Sequence, residues 1–107
     1  MIVMEGPFIN TNAQQLAELA IQQRLPTIGV LPTFVEAGGL MSYGPNVDHL
    51  FKQATSYIDR ILKGARPSDL PIERPTHFYT AVNLRTARSL GVTIPSSLLA
   101  QATQVIE

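Results

Sequence analysis

The side chains with chemical reach crowd into Phe34–Asn46, the run FVEAGGLMSYGPN. Glu36 brings a carboxylate, Ser42 a hydroxyl, and Phe34 and Tyr43 flat apolar faces. A second carboxylate, Glu5, lies near the start. Glu5 and Glu36 each follow an expected strand, so both can reach one sheet edge. Two such groups together permit acid–base work. A single one holding a ligand ammonium asks for less, and a pair that is merely solvated asks for nothing. Tyr43, Phe34 and Phe8 can stack on a ring or shield a small ligand from water; packing against neighbouring loops is the plainer role for Phe8 and Phe34. Tyr43, beside a Gly-Pro turn, is the foremost candidate.

No catalytic constellation emerges. The residue two before Ser42 is Leu40 rather than glycine, so the nucleophile-elbow pattern fails, and the hydroxyl is left to donate to a ligand or to the backbone. Neither His49 nor His77 has a second histidine or a close carboxylate at ligand spacing, and no metal site is expected. There is no cysteine, hence no thiolate nucleophile, disulfide or Cys-based zinc site. Gly38-Gly39 allows either a tight turn or close approach of a ligand to the backbone. It belongs to no GxGxxG and no phosphate-binding loop, and no cofactor is called for. The sequence argues for a binding protein and against an enzyme.

These residues need a scaffold to hold them. Ile2-Val3-Met4 reads as a short strand broken by Gly6-Pro7. Thr11 or Asn12 can cap a helix running through Arg24, with Leu16, Leu19, Ala20 and Gln23 along one face. Thr27–Leu31 reads as a buried strand, and the strand–helix–strand alternation favours parallel pairing by a right-handed crossover. Pro32–Gly39 is a loop with a helical turn, and Leu40–Tyr43 a third strand. Asn46 then caps the best-defined helix of the chain. In it Val47, Leu50, Phe51, Ala54, Tyr57, Ile58, Ile61 and Leu62 form one stripe, and Gly64 stands where a C-terminal cap is wanted. A Gly-Pro-Asn start after a strand aims backbone N–H groups at the sheet's carboxyl edge, where open α/β sheets take ligands. Ala65–Thr76 is a proline-stiffened connector, and His77–Val82 a strand by its aromatic and β-branched content. Asn83 caps a brief helix ending at Gly91, and Ser96 a last one carrying Leu99, Ala102 and Ile106.

Composition sets the outer limits. One domain fits 107 residues, with 45% apolar and only 15% charged. The second figure is low for a globular domain, which points to nominal surface covered by a partner subunit, a second lobe or further chain. Eight basic residues balance eight acidic ones, so no field draws in nucleic acid or anionic lipid. No apolar run approaches membrane-spanning length. The start MIVMEGPF lacks the basic and apolar regions of a secretory signal, so as written the chain is expected to be cytoplasmic.

Three motifs carry a resemblance: FVEAGGLMSYG, YIDRILKGARPSDLPIE and NLRTARSLGVTIPSSLL. With them the chain resembles the C-terminal part of ABC-transporter substrate-binding proteins of the tryptophan-binding (TrpX-like) family. The resemblance implies α/β architecture: a parallel sheet flanked by helices, forming part of a Rossmann-like lobe of the periplasmic binding protein type I class. Ligand would lie in a cleft between two lobes joined by three crossing segments. One crossing falls just after Tyr43, and Pro67–Thr76 leads back. On this reading residues 1–107 are a single truncated domain: 1–44 second-lobe strands and helix, 45–66 the long helix, 67–107 connector, strand and C-terminal helices. Implied partners are a small-molecule ligand such as an aromatic amino acid, and an ABC transporter permease; the implied location is periplasmic. Phe34, Glu36, Ser42, Tyr43 and Asn46 are the expected ligand-binding residues. The family's signal peptide, first-lobe core and start of the second lobe have no counterpart here. Apolar faces and strand edges left bare would then favour a homo-oligomer, either alongside binding or as a self-associating remnant that binds nothing.

Overall fold

The computed structural model describes all 107 residues, Met1–Glu107. In chain order the elements are α1 (Pro7–Thr11), α2 (Ala13–Gln22), β1 (Ile28–Gly29), α3 (Pro32–Glu36), β2 (Met41–Pro45), α4 (Val47–Leu62), a 3-10 turn (Pro67–Asp69), β3 (Phe78–Asn83), α5 (Leu84–Leu90), α6 (Ser96–Gln101) and β4 (Gln104–Ile106). They fall into two units, Met1–Gly44 with Tyr79–Glu107, and Pro45–Phe78.

The first unit is built on a sheet of order β1-β2-β3-β4. β1 and β2 are parallel, with Ile28 beside Met41 and Gly29 beside Ser42. β3 and β4 are also parallel, with Ala81 beside Gln104. Asn83 N–H, at the end of β3, donates to Leu40 O just before β2 (2.8 Å), so the two middle strands run in opposite directions. The apolar start adds a single parallel bridge, Ile2 to Ile28. Alternation does the rest: Val3 is buried while Ile2 and Met4 on either side are exposed. α1, α2 and α3 lie on the Val3 face. There Val3, Ala17 and Phe34 form a core with Ile9, Ala13 and Leu16 packed on it, and α2 touches both α3 and α5. Val35 and Val82 are fully enclosed, each stabilising the fold by about 1.5–3 kcal/mol.

Asn83 ties three elements together. Its Oδ1 accepts from Thr86 N–H (3.1 Å), capping α5 as the sequence suggests, while its Nδ2 donates to Val35 O (3.2 Å). Thr86 Oγ1 donates to Gly38 O (2.9 Å). Together they pin the end of α3 and the loop after it to the start of α5. Gly91, at φ 69°, closes α5 in the left-handed conformation.

Four local expectations are corrected. Gly6-Pro7 starts a helix instead of only ending a strand, because proline suits the first helical turn. Asn12 does not cap with its side chain; its Nδ2 turns back to Phe8 O (2.8 Å) and separates α1 from α2. The second helix stops at Gln22, since Arg24 takes a left-handed φ of 53° and Leu25 N–H closes onto Ala20 O. At the other end Pro95, not Ser96, precedes α6, and Ala102 is extended. Thr103 N–H then donates to Thr80 O (2.8 Å), so Ile106 lies in a strand beside β3 rather than in a helix.

The second unit is α4 and the chain that returns along it. Asn46 caps the helix: its Oδ1 accepts from His49 N–H (3.1 Å), with Asp48 in the first turn and Arg60 in the last. Gly64 follows at φ 105°. The return segment packs on the side of α4 that carries His49, Gln53 and Tyr57. Tyr57 OH donates to Pro71 O, and Gln53 Nε2 donates to Glu73 (3.1 Å). Partial enclosure, then the nearby Glu73 carboxylate, holds the Tyr57 phenol above its ordinary 10.0, with Arg60 opposing. Along the stripe Val47, Phe51, Ile58, Ile61 and Leu62 are exposed, and no residue of α4 is buried. No helix of the chain is long and apolar enough to cross a membrane.

Candidate functional site

The outer end of β1–β2 is where Tyr43 and its neighbours lie. β1 ends at Gly29 and β2 carries Tyr43 and Gly44. A Cβ on Gly44 would be driven into the backbone of Val30, so glycine is what lets the two strands' ends approach. Phe34, from α3, lays its ring across Gly29 and Gly39, and a Cβ on Gly39 would collide with it. Of the paired glycines, Gly39 is thus explained by a ring seat and Gly38 by its φ of 115°. Phe34 itself is 6% exposed and part of the core.

Ser42 and Tyr43 are adjacent in a strand and point to opposite faces. Ser42 is completely enclosed on the helix side, and its Oγ finds no hydrogen-bond partner. Tyr43 is 55% exposed on the other face, the face that also holds Ile2, Ile28 and Met41 by register. Glu36, at the end of α3, meets neither. Its Oε1 accepts from Gln104 Nε2 (3.4 Å), and Gln104 Oε1 accepts from Tyr79 OH (3.4 Å). The other carboxylate, Glu5, lines a recess at the end of β1 with Val30, Leu31 and Phe34. That recess holds about 10 Å³, room for about one water. Larger hollows lie elsewhere: a polar one of about 420 Å³ over Thr11–Glu18, and an apolar one of about 200 Å³ between Phe8 and Leu19. None of the five expected binding residues lines either.

Asn46 belongs to the second unit, at the start of α4. Besides capping α4, its N–H donates to His77 O (2.8 Å). The rings of His49 and His77 stack, centroids 3.7 Å apart at 28°. Sequence spacing gave no hint of that pairing, because the two lie 28 positions apart across helix and connector. Thr76 Oγ1 lies 3.0 Å from His77 Nδ1, while His49 Nδ1 is enclosed without a partner. No group of three metal-ligating side chains forms. Gln104 went unnoticed because the tail was read as helix; the β-branched residues Thr103, Val105 and Ile106 were the available sign of a strand.

The first unit is thus an α/β sheet backed by helices, with an exposed aromatic at its outer end. The sequence model for ABC transporter substrate binding proteins matches residues 1–106, and the chain belongs to that family. A comparison with curated proteins found no match. Among solved structures, a conserved domain protein from Vibrio cholerae O1 biovar El Tor is similar at TM-score 0.85 and 26% identity, over 97% of this chain and 35% of that one. An ABC domain in complex with L-Trp from Streptococcus pneumonia is similar at 0.84 and 28%, over 98% and 36%. The ligand-free, open form of a substrate-binding protein with adhesive properties from Clostridium difficile shares the fold at 0.73 and 23% identity, over 98% and 35%. The chain therefore spans about a third of the length of these structures.

Proposed function

We propose that this chain supplies part of the solute site of an ABC-type transport system, acting by binding and not by catalysis. The ligand on this reading is a small molecule such as an aromatic amino acid, and Tyr43 is the residue that meets it. The supporting observation is the similarity, over 98% of this chain, to a protein in complex with L-Trp, together with the exposed Tyr43 ring at the outer end of β2. Glu36 is exposed and suited to hold an ammonium; Phe34 and Ser42 support the strand ends from beneath. The protein works outside the cytoplasmic membrane and delivers to a permease, as its family resemblance implies. A recess of about 10 Å³ cannot hold an amino acid, so further walls of the site come from polypeptide beyond these residues.

Calorimetric titration with tryptophan, phenylalanine and other small solutes tests the reading. Measurable heat that Tyr43→Ala abolishes supports it, and flat traces for every solute remove it. A second reading, a self-associating module that binds no solute, is favoured by the bare apolar stripe of α4. It predicts that Tyr43→Ala changes nothing.

A further inference from the structure

We infer that His49 and His77 form a proton-sensitive clasp, which closes the second unit where the chain enters and leaves it. That unit runs from Pro45 to Phe78, so Asn46 and His77 are its second and second-last residues. Asn46 N–H donates to His77 O (2.8 Å). Beside that bond the His49 ring stacks on the His77 ring, centroids 3.7 Å apart and planes 28° from parallel. Backbone bond and ring stack join the same two stretches of chain, so they open together.

What the stack tolerates is set by its protons. A neutral imidazole carries one N–H and one bare nitrogen, and a protonated one carries two N–H groups. His77 has room for the second, because its Nδ1 lies 3.0 Å from Thr76 Oγ1, a hydroxyl that can accept or donate. His49 has no such room. Its Nδ1 is enclosed without a partner, so a proton there is an N–H with nothing to accept it. It is also the third residue of α4, where the positive end of the helix opposes a cation. Asn46 Oδ1 is already taken by His49 N–H (3.1 Å). With both rings charged, two unit charges lie one over the other. The stack therefore holds with no added proton or one, and parts on the second.

No carboxylate is placed to cancel that second charge. On α4, Asp48 precedes His49, Lys52 follows one turn on, and Tyr57 bonds to Pro71 O. On the return segment Glu73 accepts from Gln53 Nε2 (3.1 Å), with Arg74 next in the chain. β2 and β3, which lead in and out, carry no charged residue. The ion pairs are Lys63–Asp59 and Arg66–Asp69, and neither involves a ring. Ring on ring and an enclosed nitrogen are contacts inside the unit, independent of what covers its outer faces. The clasp is complete at pH 8 and loosens as pH falls below the ordinary histidine range of about 6.5.

Amide exchange and nuclear magnetic resonance on the whole chain at pH 8 and pH 5 are the test. After correction for the intrinsic exchange rate, protection of the Asn46 amide is expected to fall at least about fivefold. Two unit charges at 3.7 Å repel enough for that even at the dielectric constant of water. Cross-ring Overhauser contacts between His49 and His77, present at pH 8, are lost at pH 5. The Asn83 amide, bonded to Leu40 O in the first unit, is the internal control and keeps its protection. His77→Phe keeps a flat ring that takes no proton, and it removes the pH dependence at Asn46. An Asn46 amide equally protected at both pH values overturns the proposal. So do ring contacts that survive at pH 5, an undiminished fall in His77→Phe, or an equal fall at Asn83, the mark of general loosening in acid.

Discussion

In the first unit α2, ten residues long, buries Ala17 and Ala20, and α3, only five long, buries Phe34 and Val35; in the second, α4 is sixteen residues long and buries none. The three do not differ in local quality in the direction that burial would suggest. α4 has the side-chain N-cap, the acidic first turn and the basic last turn, whereas α2 and α3 have no side-chain cap at all. Capping and propensity decide where a helix starts and stops. Whether it is fastened to anything depends on a second surface to cover its apolar line.

Equal truncations in the two units probe this contrast most strongly. Phe34→Ala opens a core cavity and is expected to cost about 3–5 kcal/mol in urea denaturation. Phe51→Ala, at a concentration too low for association, is expected to change stability by less than about 0.5 kcal/mol. A similar cost for both would break the comparison. The two asparagine caps refine it. Asn83→Ala loses the cap and one of the two bonds to Val35 O, which keeps that from Gly38 N–H, for roughly 1–2 kcal/mol; Asn46→Ala loses a half-exposed cap, for about 1 kcal/mol. Ser42→Ala reverses the sign. Removing an enclosed hydroxyl that has no partner is expected to raise the unfolding free energy by about 1 kcal/mol. The smallest effect is Lys63→Ala, which breaks the exposed Asp59–Lys63 pair at about 0.3–0.5 kcal/mol, less in high salt.

The sequence was most legible where a residue acts on its own neighbourhood. Asn46, Asn83 and Gly91 mark their helix ends by local hydrogen bonding and φ, and the structure has them so. The stripe from Val47 to Leu62 marked the longest helix. Family membership was legible too, from long motifs that the match over residues 1–106 bears out. What stayed hidden depends on contacts far along the chain. Ile106 pairs with Asn83, a relation helix periodicity cannot express. Gly38-Gly39 looked equally suited to a turn or a ligand, and only the arrival of the Phe34 ring on Gly39 settles what that glycine is for. Glu36 and Tyr43, seven residues apart, looked like one cluster. Their separation follows from the loop between them, which carries Tyr43 onto the sheet face opposite Ser42 and leaves Glu36 reaching toward Gln104.

Asn83 has one further consequence. Its side chain and backbone hold together a strand end, a loop and two helices. Neither α3 nor α5 can part from the end of β3 without releasing one of these bonds. The amide hydrogens of Asn83 and Thr86 should therefore be among the last to trade with deuterium in solvent, reporting opening of the unit as a whole.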